Sequence, residues 1–231
     1  AITLARLADE HVEKPLCLSL AELDQIEVAH AAAHAQGPGP LLMVGFNRRF
    51  APLVVLLRQQ LRTLSGPRAF VYTCNAGAIP ADHWTQDPLQ GGGRLIGEAC
   101  HFVDLLRDLA DAPIETLQLV SAADRKSCPD TFSLHLRFAN GSIGTVHYFA
   151  NGSKAFPKER LEVFAGGRVL LLDNYRKLKA WGIPGFRTRR LLAQDKGQVA
   201  FLKAIESGGQ PPIAIDQLLE VQRWLLQDQA R

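Results

Sequence analysis

The chain has 231 residues, 47% hydrophobic and 21% charged, with 26 Lys and Arg against 23 Asp and Glu. This is ordinary globular material able to bury a sizeable core, and a net charge of +3 scattered along it offers no basic stripe for nucleic acid. No apolar run approaches the roughly 18 residues of a membrane helix, and the amino terminus lacks a signal peptide's charged-then-apolar order.

In chain order, residues 4–10 read as the end of a helix and His11-Val12 as a short extended piece. Pro15 bars helix at Lys14. Ser19 and Glu22 form a capping box for a helix to about residue 36, with Leu20, Leu23, Ile26 and Ala33 at helical spacing. Gly37-Pro38-Gly39-Pro40 stops it. The continuous apolar run over 41–46 is the mark of a parallel strand buried on both faces, so strand, helix, strand predict a βαβ unit. Pro52 opens a helix to about residue 64, and 68–75 reads as a strand. A loop rich in Pro, Asp and Gly comes next over 76–90, and then a helix that should end near Asp111.

From there the apolar period changes to two. Strands are predicted over 115–122, 131–139, 142–150, 160–164, 169–173 and 177–181, with Asn140-Gly141 and Gly166-Gly167 as hairpin turns. Amphipathic helices over 198–206 and 215–227 close the chain. The fold class is α+β with a residual α/β piece: a βαβ unit ahead of a large, mostly antiparallel open-faced sheet covered by helices.

The glycine-rich run Gly91-Gly92-Gly93 leads into a helix carrying Glu98, His101 and Asp104 at spacings of three, which places them on one face. Phe102, Val103, Leu105 and Leu106 should enter a core. Gly91, Gly93 and Gly97 approach a dinucleotide fingerprint, but that motif needs a strand directly before it, and 82–90 is polar loop. It is rejected, and no other stretch supplies a phosphate-binding loop.

A histidine on an apolar helix is commonly a core residue. Three features favour proton transfer by His101: it titrates near neutrality, Glu98 and Asp104 stand one turn away on either side to tune it, and the glycines leave room for a ligand. Lys14 comes after a short extended segment, where α/β sheets bind ligands, although most such lysines are surface charges. Arg48 and Arg49 directly succeed the buried strand; one is expected to contact an anion or hydroxyl and the other to form a structural ion pair. Lys154, Lys158 and Arg160 either cap a pocket or decorate a solvated hairpin. The run Arg187-Thr188-Arg189-Arg190 reads as a solvated loop. Cys17, Cys74, Cys100 and Cys128 lie far apart with no Cys-x-x-Cys pair, which supports neither a metal site nor a disulfide framework and fits a reducing cytoplasm. The Asn-Gly-Ser sequons at Asn140 and Asn151 then read as turns.

Glu13-Lys14-Pro15, Val44-Gly45-Phe46-Asn47-Arg48-Arg49-Phe50 and Gly91-Gly92-Gly93 through His101-Phe102-Val103-Asp104 resemble, in order and spacing, the motifs of the glucose–fructose oxidoreductase / inositol dehydrogenase (Gfo/Idh/MocA) family. The wording over 97–104 and 152–160 is most similar to the subgroup fused behind a zinc-alcohol-dehydrogenase-like region, whose members tend to accompany surface-polysaccharide synthesis. The resemblance implies an NAD(P)-dependent oxidoreductase of a sugar, polyol or sugar nucleotide. It places Glu13, Lys14 and Pro15 at the cofactor, and Lys14 and His101 at the chemistry. Asn47, Arg49, Glu98, Asp104 and Lys154 would meet the substrate. The Asp usual four residues before the His is Gly97 here, with Glu98 one position on, so either Glu98 substitutes for it or that role is lost.

The resemblance further implies that residues 1–47 are the carboxyl-terminal remnant of a nucleotide-binding Rossmann domain whose amino-terminal half is missing, and that 48–231 form a substrate-binding and oligomerisation domain. NAD or NADP would be expected in the full-length protein and none on this chain alone. The expected partners are a sugar-like molecule, the missing amino-terminal portion and further copies of the chain through the open sheet, with no nucleic acid or membrane. The alternative is a non-catalytic sugar-binding or oligomerisation domain that has lost its cofactor.

Overall fold

The computed structural model describes residues 10–12, 14–35, 42–80, 82–122, 129–196, 199, 203, 206 and 211–229. The predicted helix end before residue 10, Glu13, the Gly37-Pro38-Gly39-Pro40 stop, Cys128 and most of the predicted helix over 198–206 lie outside the described residues.

The described residues open with the expected βαβ unit. Strand β1 (Glu10–Val12) pairs in parallel with β2 (Leu42–Val44), and helix α1 (Leu20–His34) connects them. Ser19 caps α1 by accepting from the Glu22 N–H at 3.2 Å, while the Glu22 carboxylate reaches past the cap to the Leu18 N–H at 2.8 Å. Only Leu23 and Ile26 of α1 are buried. The unit is fastened to the rest through the last helix, α4 (Ile215–Gln229), where Gln222 donates to the Cys17 carbonyl at 2.8 Å and Arg223 pairs with Asp24 and Glu27.

After β2, a 3₁₀ turn (Asn47–Phe50) leads into α2 (Pro52–Arg62), opened by a proline whose missing N–H is no loss at a first helical position. Next comes an eight-stranded mixed sheet: β3 (Ala69–Asn75), β4 (Ile114–Ser121), β5 (Phe132–Phe138), β6 (Ile143–Phe149), β7 (Glu159–Ala165), β8 (Arg168–Asp173), β9 (Lys177–Trp181) and β10 (Arg189–Arg190). Their spatial order is β10-β9-β8-β7-β3-β6-β5-β4. Every neighbouring pair is antiparallel except β3 with β6, because β3 enters before the meander and is inserted between β6 and β7.

Gly141 (φ 80°) makes the β5–β6 turn and Gly166-Gly167 (φ 54° and 73°) the β7–β8 turn, as the sequence predicts. The β8–β9 turn is unforeseen, since Asn174 and Tyr175 adopt φ of 49° and 55° without glycine. Tyr175 is held there by burial, its hydroxyl 3.3 Å from that of Tyr72.

Helix α3 (Cys100–Ala110) lies across the buried face of the sheet. Phe102 stacks on Tyr72 of β3 at 4.6 Å between ring centroids, and Leu106 packs so close to β6 that a Cβ at Gly144 would stand 3.0 Å from it. Burying a side chain the size of Phe102 contributes about 1.5–3 kcal/mol. The opposite face carries Ile143, Phe164 and Trp181, each about half exposed, and no described helix covers it. Among the described residues no helix is long and apolar enough to cross a membrane.

Candidate functional site

The glycine run does not open a regular helix. Gly93 and Arg94 begin one, but Leu95–Ala99 form a π-helical turn before α3 starts at Cys100. The extra residue of a π turn rotates the positions before it out of register with those after it. Glu98, inside the π turn, is thereby out of register with His101 and Asp104 in α3. The space expected around the glycines is also taken by the chain itself: a Cβ at Gly91 would meet the Thr85 Cα at 2.4 Å, and one at Gly97 the Gly91 carbonyl at 2.9 Å.

Lys14, just beyond β1, crosses to this turn. Its Nζ donates to Glu98 Oε1 and to the Gly97 carbonyl, both at 2.7 Å. Burial alone would raise the Glu98 carboxyl, but Lys14, helped by Lys158 and Arg48, holds it below its ordinary value. Gly97 thus offers its carbonyl and Glu98 its carboxylate to the same lysine.

His101 is 6% exposed, and its Nδ1 is buried with no hydrogen-bond partner. Phe46 packs edge-on at 6.1 Å. Burial, then the cations Arg48, Lys14, Lys196 and Lys158, drive the imidazole well below its ordinary value, so it is neutral at pH 7. The charges that act on it most are these cations, and not the carboxylates of Glu98 and Asp104 expected to tune it.

Asp104, fully buried, grips Arg49 through two oxygens at 2.6 and 2.8 Å, and Arg49 also donates to Gln217 at 2.6 Å. Burial lifts the Asp104 carboxyl to about 6 against the pull of that guanidinium, and the pair remains ionised at neutral pH. The two residues expected at the substrate therefore engage each other. Arg48 is committed as well, with Nε 3.1 Å from Glu159 Oε2 and the guanidinium over the Phe102 ring at 5.0 Å. One free arginine was expected, and both are in buried ion pairs. Asn47, 8% exposed, opens the turn that presents them.

Glu159 is the residue that motif reading missed. Its side chain is fully buried and accepts from Arg48, from the Tyr72 hydroxyl at 2.6 Å and from Lys196. Burial would raise this carboxyl, but Arg48 and Lys196 bring it down to about 2. A signal was present: Glu159, Leu161, Val163 and Ala165 share the buried phase of β7, and a glutamate in that phase needs a buried cation. Arg160 consequently points to the open face, paired with Glu162, away from the site. The 151–158 loop is fixed by Asn75, whose amide donates to the Ser153 carbonyl at 2.7 Å. Lys154 of that loop lies against Gly77, and Lys158 adds to the field at His101. Burial pushes the Cys74 and Cys100 thiols up to about 12, which removes both as nucleophiles at neutral pH. Among the described residues no group of three or more metal-ligating side chains assembles.

The fold recurs in other proteins. Residues 66–166 match the GFO/IDH/MocA C-terminal domain. That domain runs from the turn before β3 to the β7–β8 turn and holds Glu98, His101 and Glu159, while Lys14 and Arg48 lie ahead of it. A putative oxidoreductase from Thermotoga maritima shares the fold over 96% of this chain and 69% of its own, with a TM-score of 0.77 and 13% identity. The UDP-N-acetylglucosamine 3-dehydrogenase GnnA from Acidithiobacillus ferrooxidans is similar over 95% of this chain and 69% of its own (TM-score 0.73, 20% identity). So is the WlbA dehydrogenase from Bordetella pertussis, solved with NADH and UDP-GlcNAcA, over 96% and 70% (TM-score 0.74, 15% identity). At these identities the likeness is one of fold. None of the curated proteins compared with this sequence matches it.

Proposed function

We propose that this chain is the carboxyl-terminal portion of a Gfo/Idh/MocA-type oxidoreductase that acts on a hydroxyl of a sugar, polyol or sugar nucleotide. The observation that carries this reading is the meeting of Lys14 with the turn that begins the His101 helix, 83 positions away, beside a buried imidazole whose Nδ1 has no partner. The Lys14 charge acts on the His101 imidazole, and this pairing suits a developing oxyanion: Lys14 polarises the substrate oxygen, and neutral His101 exchanges its proton. Glu98 orients Lys14, taking the place of the usual Asp. Asn47 and Lys154 line the substrate side, with the Arg49–Asp104 clamp behind them.

NAD or NADP would accept or supply the hydride, with Glu13, Lys14 and Pro15 at its nicotinamide end. Those that are described fit this use, since Lys14 and Pro15 stand at the end of a parallel strand, where α/β sheets bind ligands. This sequence carries no phosphate-binding loop, so we place one in an upstream nucleotide-binding portion of which residues 1–47 are the Rossmann remnant. Two facts support that portion. A parallel pair of three-residue strands needs more sheet and a cover on both faces, and the similar structures extend well beyond the 69–70% of their lengths that this chain covers. The uncovered sheet face, with Ile143, Phe164 and Trp181, supports a homo-oligomer, and the free thiols Cys17, Cys74 and Cys100 suit a reducing cytoplasm.

The test uses the chain extended upstream by its coding region, assayed for NAD(P)H formation against a panel of sugars and sugar nucleotides. His101→Ala and Lys14→Ala should each lower kcat by at least about 100-fold with intact folding. Unchanged turnover in both variants would remove the proposed chemistry. Nicotinamide cofactor should bind the present chain weakly or not at all by calorimetry, and micromolar binding would overturn the division of labour.

A further inference from the structure

We propose that a hollow at the turn end of the β8–β9 hairpin is a binding site for a small phosphate-bearing molecule, its anion held by Arg176, Lys177 and Arg190. The inference is independent of the hydroxyl oxidation proposed above, because neither His101 nor Lys14 enters it. The hollow measures about 300 Å³, at the lower end of the range for small-molecule sites. Three cations face it against one carboxylate, Asp173, and Pro157 and Leu191 supply apolar wall. That mixture suits an organic phosphate, with the anion on the basic side and a ring or sugar face on the apolar one.

Two features argue for a built site over a scatter of surface charge. First, the ladder places Arg190 directly opposite Lys177, and like charges directly opposite on paired strands destabilise a sheet. Lys179 and Arg190 accordingly push the Lys177 ammonium below its ordinary value, with Asp173 as the opposing charge. A bound dianion would turn this repulsion into attraction. Second, the walls are pinned. The Leu191 N–H donates to the Arg176 carbonyl at 2.8 Å, Arg176 Nη2 to the Leu192 carbonyl at 3.0 Å, and the Asn174 N–H to the Glu159 carbonyl at 2.7 Å. Tyr175, buried beneath the turn, fixes the backbone from which Arg176 and Lys177 project. A preformed basic hollow spends little entropy in ordering itself around a ligand.

The experiment is calorimetric titration of the chain with inorganic pyrophosphate and with a hexose 1-phosphate at about 0.15 M salt, a level that screens diffuse surface fields beyond roughly 8 Å. Saturable binding at one site per chain is expected. Lys177→Gln and Arg190→Gln should each weaken it about tenfold, the loss of one charge-assisted contact. Arg137→Gln, at an exposed arginine of β5 outside the hollow, should leave it within about twofold, and His101→Ala should leave it unchanged. Amide shift changes on titration should centre on residues 174–177 and 190–191. Absence of saturable binding would overturn the proposal. Equal weakening by Arg137→Gln would also overturn it, as would loss on His101→Ala, since the anion would then sit elsewhere.

Discussion

Replacing Glu159 by Gln keeps the shape of the side chain and one acceptor oxygen but removes the charge that faces Arg48 and Lys196. Arg48, 5% exposed, would then be a buried cation with no carboxylate against it, and the Tyr72 hydroxyl would lose a charged acceptor. Breaking a buried pair from one side costs about 3–5 kcal/mol. The depression of the Glu159 carboxyl from 4.5 to about 2 corresponds independently to roughly 3 kcal/mol of stability at neutral pH. Because the folded value is the lower one, this contribution is present above pH 4.5 and is lost as pH falls from there toward 2. Urea unfolding followed by tryptophan fluorescence at pH 7 and pH 3 would measure it. The variant should be less stable by about 3 kcal/mol at pH 7, roughly 10 °C in Tm for a chain of this length, and the gap should narrow at pH 3. An unchanged midpoint at pH 7, or a gap independent of pH, would refute the picture of Glu159 as an ionised hub.

Tyr72→Phe removes one hydrogen bond to the same carboxylate and should cost about 2 kcal/mol by the same unfolding assay. Gly91→Ala drives a methyl group into the Thr85 backbone at 2.4 Å, which cannot swing aside, so a fall in Tm of roughly 5–10 °C is expected by calorimetry. For His101 the folded imidazole titrates well below the unfolded one, so wild type should lose stability relative to His101→Gln as pH falls from 6.5 toward that depressed value. Parallel stability curves for the two proteins between pH 7 and 5 would contradict the buried, neutral ring. Asp104→Asn leaves Arg49 with Asp108, 3.6 Å away, and Gln217, so its cost should be about 2 kcal/mol, smaller than that of Glu159→Gln.

Much of the architecture was legible along the chain. The βαβ opening, the period-two strands from β4 onward and the glycine turns at Gly141 and Gly166-Gly167 all arise from local rules: cap chemistry, alternation and positive φ. The β8–β9 turn escaped because Asn174 and Tyr175 carry no glycine, and a tyrosine accepts that backbone only where its ring is buried beneath it. The placement of β3 between β6 and β7 was likewise invisible, since strand order is settled by which faces bury against α3.

At the candidate site the sequence by itself marked Lys14, Arg48 and Arg49 by their places just after extended segments, and Glu98, His101 and Asp104 by their spacing along an apolar helix. Tertiary structure alone decided their partners. Glu98 lies within a five-residue π turn and His101 in the α-helix after it, so regular helical spacing does not relate them, and Glu98 goes to Lys14 and Asp104 to Arg49. Glu159 went unmarked because its meaning depends on two cations that reach it from residues 48 and 196. The physical reason is one of range: caps, turns and alternation act over a few residues and are written locally, whereas a buried charge is neutralised by whichever cation folding delivers to it.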